Sequence, residues 1–454
     1  MNSRLKKWIK KLNDFEKKIH FFPENFIFGY VVGVNGSILE VSGLNVPIGS
    51  ICFVETIICG QVIEIDCEVI SFKKNKLLLI MFEQTIGIQP YSRVFLKSYN
   101  KKMIHIGKPM PIGDQLLGRV IDNLGRPLDG LSRLNLEEYS FLQFKKINPL
   151  YRQPITEVLD TGIKSINALL TIGKGQRIGL FSSSGLGKSV LLGMIARYTK
   201  VDIIIVALIG ERGREINDFI NNILGKEGLS RSVIIAVPSN YSAISQVQGA
   251  LYATYIAEYF RNKKYHVLLI MDSLTRYAMA HREIALSIGE LPAIKGFPPS
   301  VFSKLSHLVE HAGNGLNDIG SMSAIYTVLT EINIDNDPIS EVTRSFLDGH
   351  IVLSKLYADS GHYPAIDIET SISRLTTSLV NSTYYFKIRD FKRLISVYQS
   401  NKELINIGAY VAGNNLILDK AIKLWSKIEN FLIQDINSSF NYIDSCQALL
   451  EILD

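Results

Sequence analysis

Several things are scarce in this chain of 454 residues, and each scarcity narrows what it can be. There are four cysteines (Cys52, Cys59, Cys67 and Cys446), with no CxxC pair and no histidine at ligand spacing. That excludes a disulfide scaffold and reads as small buried hydrophobes in a reducing compartment, not as a zinc site. The longest apolar run, Ile203 to Ile209, is far short of the ~18 residues that suggest a membrane span. The N-terminus is charged and periodic, with no apolar core before a cleavage site, so no secretory signal is read and a cytoplasmic location is expected. Charge of one sign is not in large excess. Lys and Arg number 49 against 43 Asp and Glu, and a net charge of +6 does not by itself call for nucleic acid. What remains is 47% apolar and 20% charged, a globular composition with room for several domains.

Residues 1–20 place Leu5, Trp8, Ile9, Leu12, Phe15 and Ile19 at helical spacing, with a lysine-rich opposite face. This predicts an amphipathic helix that docks on a partner or on an anionic membrane surface; the alternative is a helix folded onto its own domain. Residues 25–97 change to short alternating runs of Val, Ile and Phe, broken by turn signals such as Asn35-Gly36 and Gly43. That pattern predicts a small β-barrel or sandwich. Lys73, Lys74 and Lys76 surround an expected hairpin tip and read as protection of a sheet edge. Between Thr161 and Val380 apolar strands alternate with helical patterns. The expected strands are Ile178–Phe181, Asp202–Leu208, Val233–Val237, Val267–Met271 and Ala324–Thr330, in a mostly parallel, doubly wound sheet. Beyond residue 380 only helical patterns continue, at Phe391–Tyr398, Leu418–Ile433 and Tyr442–Leu453.

The stretch RIGLFSSSGLGKSVLLGMIARYT, Arg177 to Thr199, organises this α/β region. An apolar strand runs into a Ser/Gly loop (Ser182, Ser183, Ser184, Gly185, Leu186, Gly187), then Lys188, Ser189 and an apolar-periodic helix. Such a loop turns its backbone N–H groups toward a phosphate, with Gly185 and Gly187 giving the freedom to do so. The helix N-terminus adds positive potential, Lys188 can reach the β/γ-phosphates of a nucleotide, and the Ser189 hydroxyl suits Mg²⁺. A small-residue loop making a tight turn is the plainer alternative.

Three further stretches supply chemistry. HVLLIMDS ends a strand in Asp272, a carboxylate placed to hold Mg²⁺ directly or through water, though Asp after a strand is often only a cap. IGERGRE follows another strand, and there Glu211 can orient water in line with a γ-phosphate while Arg212 stabilises charge; acidic residues at a helix start would look alike. In GHYPAIDIETSISR, Tyr363 before a proline is a possible adenine platform. Arg374, ending a Ser-rich turn, is a possible arginine finger; a packed tyrosine and a surface arginine are the alternatives.

Taken together, SSSGLGKSVLLGMIARYT, LIGERGREINDFI, HVLLIMDSLTRYAMAHREIALSIGE, GFPPSVFSKL, LDGHIVLS and GHYPAIDIETSISR resemble the flagellum-specific export ATPases. That family is related to the catalytic subunit of rotary ATP synthases and to virulence type III secretion ATPases, and the resemblance spans essentially the whole chain. It implies a multidomain α/β protein with four segments: a docking helix (1–22), a small β-barrel (23–98), a RecA-like ATPase core (99–380) and an α-helical domain (381–454). It also implies a homohexamer that hydrolyses ATP with Mg²⁺. Lys188 and Ser189 would bind phosphate and metal, Glu211 would activate water, Arg212 would contact phosphate and Tyr363 would stack on adenine. Arg374 would reach the neighbouring subunit's nucleotide. The implied partners are a regulatory, stator-like export protein at residues 1–20, the export gate and substrate–chaperone complexes, without nucleic acid, at the cytoplasmic face of the inner membrane.

The chain departs from the family pattern at Ser182 and Ser183, where Ala and Gly are usual, and at Gln246, where Arg is usual. If position 183 needs positive φ, a serine there would cost on the order of 1–2 kcal/mol. The expected function is a hexameric ATPase of flagellar-type protein export. A virulence-type secretion ATPase is the nearest alternative, with an RNA-dependent ring ATPase and a weakly active nucleotide-binding scaffold further off.

Overall fold

Strands of two kinds build this protein, and their burial tells them apart. The computed structural model describes residues 8, 11–12, 28–58, 61–83, 87–97, 107–132, 134, 139–142, 144, 148–316, 320–330 and 337–453. These fall into two compact units, 1–108 and 109–454. Of the expected docking helix, Trp8, Lys11 and Leu12 are among the described residues, and all three are exposed; the rest of residues 1–20 lie outside them.

In the first unit most strands alternate, although Leu77 to Met81 are buried at every position. β1 (Phe28–Asn35), β2 (Ile38–Ser42), β3 (Ile51–Ile58), β4 (Gln61–Lys73), β5 (Lys76–Met81) and β6 (Arg93–Leu96) close into a barrel in the order β1-β2-β5-β4-β3-β6. Every second residue points inward, so Val31, Leu39, Val41, Cys52, Val54, Ile65, Cys67, Val69, Leu79 and Val94 fill the interior. Cys52 and Cys67 face each other across β3 and β4 as free thiols, and burial pushes the Cys52 thiol up to about 12. The Lys73–Lys76 hairpin tip forms as expected, but its reading as edge protection does not hold. β5 is paired on both sides, with β2 and β4, so a closed barrel leaves no edge there to protect. On the outside, Phe95 lies 5.5 Å from Phe28 and 5.3 Å from Phe53, and Arg93 pairs with Glu55.

In the second unit most strands are buried along nearly their whole length. A short antiparallel pair, β7 (Pro109–Pro111) with β9 (Tyr139–Phe141), flanks β8 (Val120–Ile121) in sequence. β10 (Arg177–Ser182), β11 (Ile203–Ile209), β12 (Ser232–Val237), β13 (His266–Asp272), β14 (Gly313–Asn314), β15 (Ser321–Leu329), β16 (Gly349–Leu353) and β17 (Ile366–Ser373) complete the large sheet. Its order is β17-β16-β10-β15-β13-β11-β12-β8, with β14 beside β15, and all pairings are parallel except β16–β17 and β14–β15. Parity divides each run between two cores: Ile204, Val206 and Leu208 of β11 enter one, and Ile203, Ile205, Ala207 and Ile209 the other. Both faces are therefore covered, as in a doubly wound fold.

The helices used below are α1 (Lys188–Tyr198), α2 (Gly213–Asp218), α3 (Ala243–Asn262), α4 (Leu274–Ser287), α5 (Pro299–Glu310), α6 (Pro338–Phe346), α7 (Ser382–Asn406), α8 (Leu416–Leu432) and α9 (Tyr442–Leu453). The last three form the helical region expected beyond residue 380. Phe391 of α7 packs on Phe431 of α8 in the core that also takes Leu191 and Ile195 of α1, and Tyr398 stacks on Trp425 with ring centroids 3.7 Å apart. One sequence reading changes here. The Ser-rich segment that ends in Arg374, expected as a turn, belongs to β17, an antiparallel strand on β16 in which Ser371 is buried and Glu369, Thr370 and Ile372 are exposed.

Candidate active site

The site forms where the parallel strands end. β10 delivers Ser182 to the loop, and the loop closes on Gly187, whose φ of 80° places it in the left-handed region as the residue before α1. A side chain there would fail twice. The conformation disfavours one, and a Cβ would lie 3.2 Å from the Tyr363 ring, which packs across the loop. Ser183 is not among the described non-glycine residues with positive φ (Lys74, Tyr91, Lys264 and Lys295), so the strain expected from a serine at 183 does not arise. Ser182 closes β10 as a buried residue whose backbone carbonyl accepts the Thr330 N–H at 3.0 Å.

Three of the expected residues meet. Lys188 Nζ donates to Asp272 Oδ1 at 2.5 Å and lies 3.5 Å from Glu211 Oε1. Strand order brings this about: β13 and β11 are neighbours, so Asp272 at the end of one and Glu211 just past the end of the other converge, while Lys188 reaches them from α1. Glu211 Oε1 is buried and has no hydrogen-bond partner among the described residues. Burial first, and then the Asp272 charge, push the Glu211 carboxyl up to about 7, although Lys188 pulls the other way. Two carboxylates thus share one ammonium in a largely dry corner. Ser189 is half-buried at the start of α1, while Arg212 is exposed just before α2.

Thr327 was not anticipated. It comes from β15, between β10 and β13, and its hydroxyl donates to Asp272 Oδ1 at 2.7 Å. A polar residue inside the apolar run of β15 was the available signal. Glu215 of α2 is another addition, a further carboxyl beside Glu211 whose charge adds to the upward push on it. Gln246, where the family has Arg, donates to the Tyr241 carbonyl at 3.2 Å.

Tyr363 is held from the helical region. Its carbonyl accepts the Gln434 N–H at 3.0 Å, and the buried Gln434 side chain accepts from Lys164 N at 2.8 Å and donates to the Gly162 carbonyl at 2.9 Å. Nearby, Arg197 and Tyr198, which end α1, donate to the Ile436 carbonyl at 3.0 and 2.8 Å. The connector after α8 therefore touches both the Tyr363 backbone and the far end of the phosphate-loop helix.

Arg374 does not join the others. β17 runs antiparallel to β16, so Arg374 emerges beside Asp348 and Arg177, at the start of β10, while the phosphate loop follows the end of β10. About 17 Å of strand rise separates the two levels. Arg374 is exposed, and its Nη2 donates to the Arg344 carbonyl at 3.0 Å.

The chemistry of the donor set fits a nucleotide with Mg²⁺: a left-handed glycine loop at a helix N-terminus, an ammonium, one hydroxyl, and a carboxylate as hard oxygen ligand. Among the described residues no helix is long and apolar enough to cross a membrane. A family model for the nucleotide-binding domain of the ATP synthase alpha/beta family matches residues 162–373, and one for the T3SS EscN ATPase C-terminal domain matches residues 380–451. The flagellum-specific ATP synthase of Buchnera aphidicola subsp. Schizaphis graminum is 55% identical over 453 residues, covering 100% of this chain and 97% of the relative. Among solved structures, the assembled ATPase EscN from the enteropathogenic E. coli type III secretion system aligns with a TM-score of 0.87 and 38% identity, over 94% of this chain and 100% of that one. EscN in complex with its central stalk EscO aligns with a TM-score of 0.84 and 38% identity, over the same shares of the two chains.

Proposed function

Because the chain belongs to the family of the flagellum-specific ATP synthases, with the nucleotide-binding domain of the ATP synthase alpha/beta proteins, we propose that it is the ATP-hydrolysing motor of flagellar-type protein export. The observation that carries the reading is the meeting of Lys188, Asp272 and Glu211 at the phosphate loop. Lys188 leaves the carboxylates for the β/γ-phosphates of ATP, whose backbone contacts come from residues 182–189. Ser189 and Asp272 hold Mg²⁺, which when bound draws charge from the phosphoryl oxygens. Glu211 orients the attacking water and accepts its proton; a carboxyl poised near 7 is matched to that task at neutral pH. Arg212 adds positive charge at the same edge, and Tyr363, half-exposed beside Gly187, offers its ring to adenine.

Arg374 serves a neighbouring chain. Its own phosphate loop lies at the opposite end of β10, which supports a finger acting between subunits of a homohexamer. A relative that assembles, and that binds a central stalk, supports a ring with a regulatory stalk partner. Residues 1–20 dock on a stator-like export protein or on anionic lipid, and the ring serves the export gate and substrate–chaperone complexes at the cytoplasmic face of the inner membrane. Identity of 55% to a flagellar relative against 38% to EscN favours the flagellar system over the virulence one. Steady-state hydrolysis and nucleotide binding test the reading together. Glu211→Gln should bind nucleotide like the unaltered chain yet lose ~10²–10⁴-fold in turnover; undiminished turnover would overturn the assignment.

A further inference from the structure

Asp348, between α6 and β16, and Arg177, the first residue of β10, have no part in the chemistry above, yet Arg374 depends on both. The Asp348 carboxylate takes a fork from Arg177, Nε to Oδ2 at 3.0 Å and Nη2 to Oδ1 at 3.1 Å, and Oδ2 also takes the Arg177 backbone N–H at 3.0 Å. The Asp348 carbonyl, fixed by these bonds, accepts the backbone N–H of Arg374 at 3.0 Å. Gln176 Nε2 donates both to that carbonyl and to Ser373 Oγ, each at 3.1 Å, and Ser373 Oγ donates to the Thr171 carbonyl at 2.8 Å. Arg177 also ion-pairs with Glu310 of α5 at 2.7 Å. All of this lies beside an exposed arginine whose own Nη2 donates to the Arg344 carbonyl of α6.

Charge-assisted forks are among the stiffer links available to a side chain, and this one ties the first residue of β10 to the residue whose carbonyl holds the Arg374 main chain. A finger acts on a transition state only from a fixed position, and a displacement of about 1 Å can cost ~10²-fold. We propose that Arg177 and Asp348 are positioning residues for Arg374, their ion pair fixing the carbonyl from which the finger is presented to the next subunit. The inference rests on the reading of Arg374 as a residue of its neighbour's site.

Mixed assemblies of two inactive chains test it. A Lys188→Ala chain keeps the finger, and an Arg374→Ala chain keeps the phosphate lysine, so co-assembled rings recover hydrolysis that neither shows alone. Asp348→Asn is then added to one chain at a time. On the Lys188→Ala chain, which supplies the finger, it should cut the recovered rate by ~10²-fold. On the Arg374→Ala chain, which supplies none, it should leave the recovered rate unchanged. Arg177→Lys keeps the charge and loses the fork, and should repeat both results should Asp348→Asn chains not assemble. Equal loss in both placements would mean that the pair only stabilises the fold, and no loss in either would mean that it does nothing for the finger; each overturns the proposal. A parent mixture that assembles but stays inactive overturns the reading of Arg374 itself, and this inference with it.

Discussion

The two ends of β10 carry charge in opposite styles. At the end that feeds the phosphate loop, Asp272 and Glu211 share Lys188, and burial drives the Glu211 carboxyl toward 7. At the beginning of the strand the Arg177 guanidinium has a fork to Asp348 and a second carboxylate in Glu310; burial works against its charge, and the two carboxylates more than reverse that, holding it above the ordinary range. The unbalanced end is suited to a ligand that redistributes charge, because a phosphate can take the ammonium and a metal ion can compensate the carboxylates. The balanced end already has its guanidinium paired with two carboxylates and is suited to holding geometry. Chemistry and positioning are thus divided along a strand of six residues.

Separate losses should expose that division. The largest effect belongs to Lys188→Ala and Arg374→Ala. Each should lower turnover by ~10³-fold or more, but only Lys188→Ala should also weaken nucleotide binding, as titration calorimetry or a fluorescent nucleotide would read. Equal loss of binding in both variants would put the two ends into one site and erase the contrast.

Next in size is the pH response of the unbalanced end. Glu211 must be ionised to accept a proton, so kcat/KM should fall ~10-fold per unit as pH drops below about 7. Stability should move the opposite way. A carboxyl whose folded value lies above its ordinary 4.5 keeps its proton in the folded chain while the unfolded chain releases it, so stability declines as pH rises from about 4.5 to 7. Relative to Glu211→Gln, which has no such proton, the unaltered chain should lose up to ~3 kcal/mol over that window in denaturant titrations. A flat difference would show that Glu211 is not held out of balance.

The smallest effect is expected of Lys174→Met. The Lys174–Glu157 pair measures 2.7 Å, but its side chains are 37% and 70% exposed, and solvent screening limits it to under ~1 kcal/mol. A larger loss would show that distance alone, not burial, sets the strength of these pairs.

Much of the unbalanced end was legible in the sequence. A strand, a glycine loop and a helix are contiguous, so the local pattern from Ile178 to Tyr198 fixes its own geometry, and the strand boundaries around Asp272 and Glu211 fall within a residue or two of expectation. Which carboxylates would meet Lys188 was less legible, because that depends on β13 and β11 being neighbours and on β15 standing between β13 and β10. Thr327 enters the site only through that order. The balanced end was hardly legible at all: Arg177 and Asp348 are brought together by the pairing of β10 with β16, and no local pattern links them. The Ser-rich segment ending in Arg374 looks like a turn until β16 supplies an antiparallel partner. The barrel shows the same limit, since Phe95 meets Phe28 and Phe53 only once β1, β6 and β3 lie side by side.

The order of the large sheet also sets a timetable for synthesis. β10 is made early, but its two neighbours, β15 and β16, emerge only after residues 321 and 349. At ~5–20 residues per second the ribosome needs roughly 7–30 s to pass from the end of β10 to the end of β15. Through that interval the strand leading into the phosphate loop has no hydrogen-bonding partner of its own, whereas every strand of the barrel has been made before residue 97. The nascent chain can close its barrel while the nucleotide-binding strand waits, apolar and unpaired, for sequence not yet translated.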